Sequence, residues 1–366
     1  MPGIVESARE APTLKRWWLV VVFGMAALGA LAGAHVGGPV PFTWFEPDVS
    51  LSRNDLLRLD RGEVVVKPLP SKSGQLGIFT ITELDATSDV FVSWIRHVAE
   101  LKRSKAVPAS RRFSEPPSLA DLDGLQLDQR DLDAIRECRP GDCALKLSTA
   151  EIETLSRVAA RGSDRAIQEV FRRLLLDRLM VYRSGGLAAV PLPAFSRNAV
   201  QPLEVFAALR ANSPYIRRSD QRLASWLERP HEARGPEVES FYYWSKEYYS
   251  SGKAVVALMH VGVTRAATGS AGPQVAVAGK QIFASRYMNG MLTHITLSRD
   301  PETGQGYMTY TNRAQLDVLH GMFGGVVRGI INGRLKGDAA AVLRTLRTRI
   351  ESGLPESSPP ASTPSR

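Results

Sequence analysis

Three histidines lie where they could take part in proton transfer. His260 and His294 fall in apolar, β-prone segments, and His320 lies at the start of a long helical pattern. An imidazole that meets a carboxylate in one pocket can act as a general base. No fixed spacing ties the three together, so they fit three unrelated side chains equally well. His231-Glu232 lacks the second histidine of a zinc-protease helix, and the sequence predicts no metal site.

A dense aromatic run and two lysines supply a different kind of candidate. The run 241–249 is rich in aromatic residues, which could line a ligand entrance or pack a strand on the core. Lys246 and Lys280 lie in or beside apolar strand sequence, where a lysine either places a cation at a cavity mouth or lays its stem on apolar surface. The hypothetical ligand-binding set is Tyr243, Trp244, Lys246, His260, Lys280 and His294.

Cys138 and Cys143 are the only cysteines. Pro140-Gly141 between them favours a turn that brings the two Cβ atoms together. In an exported chain, such a pair predicts a structural disulfide, while a redox pair or free thiols remain the alternative.

An apolar segment near the start of the chain predicts export. Residues 1–16 form a cytoplasmic n-region that ends in a basic pair, and residues 17–36 carry no ionisable side chain except His35. Twenty helical residues rise about 30 Å, one hydrocarbon core. The segment is therefore a transmembrane anchor or a signal peptide cleaved near Ala34. We expect the protein in the cell envelope, anchored in the inner membrane facing the periplasm or free in the periplasm.

Net charge adds little to this assignment. The chain of 366 residues carries +9 at pH 7. Such a charge suits nucleic acid in a cytosolic protein, but export argues against that partner and favours anionic lipid head groups. The expected partners are the inner membrane and a lipid or apolar small molecule, with no nucleic acid and no cofactor.

The order of elements predicts an α+β fold. Residues 37–50 form a Pro/Gly-rich spacer, and residues 51–353 form one domain. Strands are expected near 63–70 and 77–84, a helix at 89–102, a largely helical insertion at about 105–235, further strands through 254–311, and a long helix at 314–352. Residues 354–366 read as a disordered tail.

Several short motifs carry a resemblance. Glu-Cys-Arg-Pro-Gly-Asp-Cys at 137–143, Tyr-Trp-Ser-Lys at 243–246, Lys-Gln-Ile-Phe-Ala-Ser at 280–285 and Phe-Gly-Gly at 323–325 resemble a family of uncharacterised exported bacterial proteins. The element order is similar to the START-like helix-grip fold. That resemblance implies a curved antiparallel sheet that wraps the last helix and encloses an apolar cavity, with the helical segment as a large insertion.

These observations lead to one hypothesis and two rivals. The hypothesis is a non-enzymatic envelope protein that holds an apolar or lipid-like ligand between the sheet of residues 254–311 and the last helix. One rival is an envelope enzyme using His260, His294 or His320. The other is an envelope scaffold that binds a protein through its helical middle region, which would require a large exposed apolar patch there.

Overall fold

Eight antiparallel strands form one sheet in the computed structural model. The model describes residues 42–355 except 73, 196–199, 230–236, 250–251, 267–271 and 320–323, and for 324–335 it describes the backbone alone. The strands are β1 (Val65–Pro68), β2 (Gln75–Glu83), β3 (Ala109–Arg112), β4 (Glu239–Tyr248), β5 (Ala254–Arg265), β6 (Val275–Ala284), β7 (Met288–Arg299) and β8 (Gly306–Leu316). Their order across the sheet is β1-β2-β8-β7-β6-β5-β4-β3.

Within the described ranges, helices precede, interrupt and follow these strands. They are α1 (Arg53–Leu59), α2 (Ser88–Arg96), α3 (Val98–Lys102), α4 (Gln129–Glu137), α5 (Thr149–Ala159), α6 (Asp164–Ala189), α7 (Pro202–Ala211), α8 (Tyr215–Ser219), α9 (Gln221–Glu228) and α10 (Gly324–Glu351). The predicted α+β class, with an antiparallel sheet, a largely helical middle region and a long C-terminal helix, is confirmed.

Side chains alternate between the two faces of the sheet, and each face has its own helical layer. On one face, which we call the concave face, Met259 and Val261 pack in a cluster with Phe91 of α2 and Leu343 of α10. On the other, the convex face, Leu258 belongs to a cluster built with α4 to α9. The helical insertion therefore covers the face opposite to the last helix.

The C-terminal half of α10 is fixed to α2 and α3 by hydrogen bonds. The indole N–H of Trp94 donates to the carbonyl of Gly353 at 2.7 Å. The guanidinium of Arg349 donates to the carbonyls of Glu100 and Leu101 at 3.0 and 2.6 Å, where α3 ends and its carbonyls lack helical partners. These bonds hold residues 336–351 at one end of the concave face.

The convex layer packs closely enough to require a glycine in the sheet. Trp226 of α9 lies against Gly262 of β5, where an added Cβ would come within 2.7 Å of the indole ring. Ser148 caps α5 in a capping box with Glu151, as the sequence pattern indicates. The carboxylate of Glu151 also pairs with Arg178 of α6, and both side chains are buried.

The predicted disulfide is present. Cys138 and Cys143 are bonded, and Gly141 takes a φ of +84° in the turn between them, a conformation that suits glycine. The backbone N–H of Gly141 donates to the carbonyl of Ala194 at 2.7 Å, and that of Cys143 to Phe195 at 3.2 Å. The bridge thus docks the end of α4 on the segment after α6.

Several predicted boundaries change. The last strand runs to Leu316, so the C-terminal helix begins at Gly324 and not at 314. The largely helical segment expected at about 105–235 begins with the edge strand β3, whose backbone pairs with the free edge of β4. In the expected spacer, Phe42, Phe45 and Val49 are buried in the convex core.

Part of the predicted organisation falls outside the described residues. This holds for the n-region, the apolar segment 17–36, the start of the spacer, His231, His320 and residues 356–366 of the tail. None of the helices within the described ranges is long and apolar enough to span a membrane.

Candidate ligand-binding groove

The concave face has a floor that α10 does not fully cover in the described part of the chain. Ile295 and Thr293 of β7 and Tyr310 and Asn312 of β8 are half-buried there. Gly279 lies opposite Thr293, and a Cβ at this position would come within 2.4 Å of the threonine hydroxyl. We call this floor, with the polar cluster described next, the concave groove.

A half-buried ion pair lies at the α3 end of the groove. Lys102 Nζ donates to Glu247 Oε1 at 2.6 Å and to the hydroxyl of Tyr243 at 3.4 Å. Ser245 donates to the same carboxylate oxygen at 2.6 Å, and Tyr249 donates to Oε2 at 2.8 Å. The Glu247 carboxylate therefore accepts three hydrogen bonds, and the lysine side chain retains a quarter of its accessible surface.

These contacts fix the charges of the pair. Burial would raise the pKa of Glu247, but the charge of Lys102 outweighs it and lowers that pKa to about 2. Burial would likewise lower the pKa of Lys102, and Glu247 instead holds it above its ordinary value. Both groups are charged over the whole physiological range.

Three phenols surround the pair. Burial raises the pKa of Tyr243, Tyr249 and Tyr310, so all three stay protonated at neutral pH. Tyr249 nevertheless keeps 40% of its surface accessible. Its hydroxyl is tied to Glu247, and the rest of its ring is the most accessible part of the cluster.

The sheet must curve to bring these groups together. Tyr310 is on β8 and Glu247 on β4, four strand spacings apart, or about 19 Å in a flat sheet. Yet the charges of Lys102 and Glu247 both act on the pKa of Tyr310, after the larger effect of burial. Strong twist and coiling of the sheet account for this approach.

The groove is equipped to bind and poorly equipped for acid–base catalysis. A general base works best when its pKa lies near the working pH, and Glu247 lies far below it. The phenols and the Asn312 amide, which donates to the Tyr310 hydroxyl at 3.0 Å, offer neutral hydrogen-bonding groups. Apolar side chains of Met259, Met291 and Ile295 flank them.

The six sequence-predicted ligand residues do not line one cavity. Tyr243 is on the concave face, in contact with the groove cluster. The other five point to the convex face, under the helical layer, because they alternate with concave residues along their strands. These five are Trp244, Lys246, His260, Lys280 and His294.

Trp244 and Lys246 have structural partners. The indole N–H of Trp244 donates to the carbonyl of Asp121 at 2.8 Å. Lys246 Nζ donates to the carbonyl of Gln126 at 2.8 Å and pairs with the carboxylate of Asp128. Burial would lower the pKa of Lys246, but Asp128 raises it. Trp244 thus attaches β4 to the 3-10 turn Leu119–Leu122, and Lys246 attaches it to the start of α4.

His260 lies in an aromatic environment. Its ring stacks on Tyr242 at 4.2 Å between centroids and meets the edge of Trp226 at 4.7 Å. Its Nδ1 and the hydroxyl of Tyr182 share a hydrogen bond of 2.9 Å. Lys280 is its partner on the next strand, so these two predicted residues are neighbours.

His294 is set apart from this group. His294 pairs with Ala278 of β6, whereas His260 pairs with Lys280, two residues farther along the same strand. With strands about 4.8 Å apart and a rise of about 3.4 Å per residue, the two histidine Cα atoms are about 12 Å apart. Each histidine instead bonds a different hydroxyl, His260 that of Tyr182 and His294 that of Ser219.

The environment of His294 also keeps it neutral. Its side chain is fully buried, and burial lowers its pKa to about 3. Ser219 Oγ donates to the carbonyl of Ile216 at 2.8 Å and so accepts the 3.0 Å bond from His294 Nε2. The histidine is a donor to the serine, which is the opposite of what activates a serine nucleophile.

The sequence did not point to four residues of the groove, namely Lys102, Glu247, Tyr310 and Asn312. Each lies in a segment with ordinary patterning, and Lys102 and Glu247 are 145 residues apart. One available signal was the alternation in β4, which places Tyr243, Ser245 and Glu247 on one face. In the described ranges no cluster of three or more His, Cys, Asp or Glu could hold a metal ion.

No protein-family model and no curated protein sequence matches the chain. Among solved structures, TTHA0849 from Thermus thermophilus is 16% identical with a TM-score of 0.24, and the match covers 36% of this chain and 86% of that one. The di-domain ARO/CYC StfQ from the steffimycin biosynthetic pathway is 18% identical with a TM-score of 0.23, over 36% of this chain and 45% of that one. Likeness at this level assigns neither ligand nor activity.

Proposed function

We propose that the protein is a non-enzymatic binding protein that holds an amphipathic or lipid-like ligand in the concave groove. The observation that carries the proposal is the cluster of tyrosine hydroxyls around Lys102 and Glu247 at one end of the half-buried floor of the concave face. Ligand pockets are mostly apolar with a few converging polar groups. The apolar floor and the cluster of phenols around Lys102 and Glu247 have that composition.

The charge state of the cluster restricts the ligand. Lys102 and Glu247 neutralise each other, so the groove offers no net charge to attract a strongly ionic group. The hydroxyls of Tyr243, Tyr249 and Tyr310 suit a hydroxyl, carbonyl or ester oxygen in the middle of an otherwise apolar molecule. Together with the export segment at 17–36, this favours a ligand taken from the membrane and handled in the periplasm or at its inner-membrane face.

A fluorescent polyene fatty acid methyl ester, which emits in apolar sites and carries a neutral ester oxygen, tests the proposal in solution. We expect saturable emission with the wild-type protein and at least a tenfold loss of affinity, about 1.4 kcal/mol, for Thr293→Phe, which fills the floor. The matched control is Val342→Phe, on the 56% exposed outer side of α10. Equal affinity of both variants, each with a native circular dichroism spectrum, would exclude the groove as the binding site.

A further inference from the structure

Lys280 is a buried lysine without a polar partner in the described part of the chain. Its side chain is 3% exposed, on the convex face of β6 and beneath α6 and α7. No hydrogen bond or ion pair reaches its Nζ from any described residue. The other buried or half-buried lysines of the described ranges each bond a carboxylate; they are Lys67, Lys102, Lys146 and Lys246. A buried charge without a partner is strongly unfavourable, so Lys280 differs from them in kind.

The groups that face its Nζ are aromatic or basic. The distance from Nζ to the ring centroid is 5.2 Å for Tyr182 on α6 and 4.7 Å for Phe206 on α7. Arg210, also on α7, adds a charge of the same sign. His260 is directly across on β5, and Leu292 is across on β7. Burial, with a smaller contribution from Arg210, lowers the pKa of Lys280 to about 7.

Such an environment makes an amine a nucleophile. A neutral amine has a lone pair that can attack carbon, and desolvation beside a second cation is a known way to keep a lysine neutral. At neutral pH about half of the Lys280 side chains would carry that lone pair, against about one in three thousand for an ordinary lysine.

A proton donor pair lies beside the amine. The Tyr182 hydroxyl and His260 Nδ1 share a 2.9 Å hydrogen bond, and the amine lies over the same tyrosine ring. Burial raises the pKa of Tyr182, so its hydroxyl keeps its proton. The Tyr182 hydroxyl can therefore donate a proton to a hydroxyl group on the carbon bound to the amine, so that this group leaves as water.

We propose that Lys280 is a carbonyl-reactive amine that takes a small aldehyde or ketone as a Schiff base in a buried site on the convex face. The amine nitrogen forms a bond to the carbonyl carbon, and one of its protons passes to the carbonyl oxygen. The resulting hydroxyl leaves as water with a second proton. The balance is amine plus carbonyl compound to imine plus water, with no oxidant or reductant.

A small cavity on the convex face shares one wall with this environment and limits the size of the carbonyl compound. It has a volume of about 40 Å³ and is lined by Phe206, whose ring faces Nζ, and by Gln281, the next residue on β6, while Lys280 itself lies behind this lining. It opens where β6 and β7 separate, because their pairing ends at Lys280 and Leu292. A volume of this order holds one or two water molecules, so a short aliphatic carbonyl compound is the expected class.

The test uses the full chain, propanal and cyanoborohydride, which reduces an imine to a stable propyl amine. Peptide mass mapping then compares Lys280 with the exposed Lys105. At pH 7 we expect Lys280 to be labelled about tenfold faster than Lys105, because a larger share of its amine is neutral and can form the imine that cyanoborohydride then reduces. Labelling of Lys280 that is slower than or equal to that of Lys105 in the folded protein overturns the proposal.

Tyr182→Phe separates a reactive site from a merely buried amine. This variant keeps the ring over Lys280 and removes the hydroxyl. We expect labelling of Lys280 at pH 7 to slow severalfold while labelling of Lys105 stays unchanged. An unchanged rate removes the assigned role of Tyr182. The comparison of Lys280 with Lys105 in the wild-type protein tests the proposal even if this variant does not fold. Its outcome does not depend on whether the concave groove binds a ligand.

Discussion

Glu247 shows how the groove depends on a single carboxylate. Its pKa of about 2 in the folded protein lies below the ordinary value of 4.5. A carboxyl group with a depressed folded pKa stabilises the fold above its unfolded pKa, and this contribution is lost as pH falls toward the folded pKa. The stabilising contribution of Glu247 is therefore present above pH 5 and disappears between about pH 5 and 2.

Replacing Glu247 by glutamine should remove this pH dependence. Between pH 6 and pH 3, the free energy of unfolding of the wild-type protein should fall by about 2 to 3 kcal/mol more than that of the Glu247→Gln variant. Urea denaturation at both pH values, followed by tryptophan fluorescence, measures the difference. Parallel pH profiles for the two proteins would mean that the pair with Lys102 does not hold the carboxylate.

Lys280 leads to a prediction of opposite sign. Its pKa of about 7 in the folded protein lies below the ordinary 10.5. The free-energy cost of burying the charged amine therefore has its full size below pH 7. This penalty fades as pH rises to about 10.5, where the amine is neutral in both states. We expect Lys280→Met to unfold at higher urea than wild type at pH 7, with a gap that narrows toward pH 10. A less stable variant at pH 7 would contradict the burial argument.

Residue types in sequence predicted only part of the candidate site. Tyr243 and Trp244 were assigned to one site as an aromatic pair, although neighbours in a strand must face opposite ways. Pairing of Lys102 with Glu247, across 145 residues, depends on the path of the chain and has no local signal. His260 and Lys280 did become neighbours, through a strand register that their spacing alone does not reveal.

At the scale of elements, local patterns were informative where the chain is regular. Ser52, Thr87 and Ser148 are residue types that favour the N-cap position, and the side chain of each accepts a backbone hydrogen bond from the first turn of its helix. The edge strand β3 was missed, because four residues with two arginines show no alternation of apolar side chains. Its position depends on β4, which supplies the backbone partners.

The disulfide provides the element-scale prediction. Closing a six-residue loop should contribute about 2 kcal/mol to the unfolding free energy. Cys138→Ser/Cys143→Ser should therefore unfold at lower urea by that amount, and reducing agent should shift wild type to the same midpoint. Reducing agent should leave the double variant unchanged. Equal midpoints for oxidised wild type and the double variant would show that the bridge adds no stability.

At the scale of the whole molecule, one sheet separates two interiors. The convex face is packed by α4 to α9 around large buried side chains such as Trp226 and Tyr182. The concave face is covered by α2, α3 and α10 and keeps the accessible polar cluster. The sequence predicted the sheet and the last helix, but not which face each histidine or lysine would occupy. In a sheet buried on both faces, the strands are apolar on both sides, so no alternation of apolar and polar residues tells the faces apart.

The central claim is that the concave groove holds a ligand. Full-length protein purified from its membrane and soluble fractions, extracted with organic solvent and analysed by lipid mass spectrometry, tests it most directly. We expect a defined amphipathic molecule at up to one per chain in wild type and in Val342→Phe, and its absence from Thr293→Phe. The same lipid profile in all three proteins, or no bound molecule in any of them, would contradict the account.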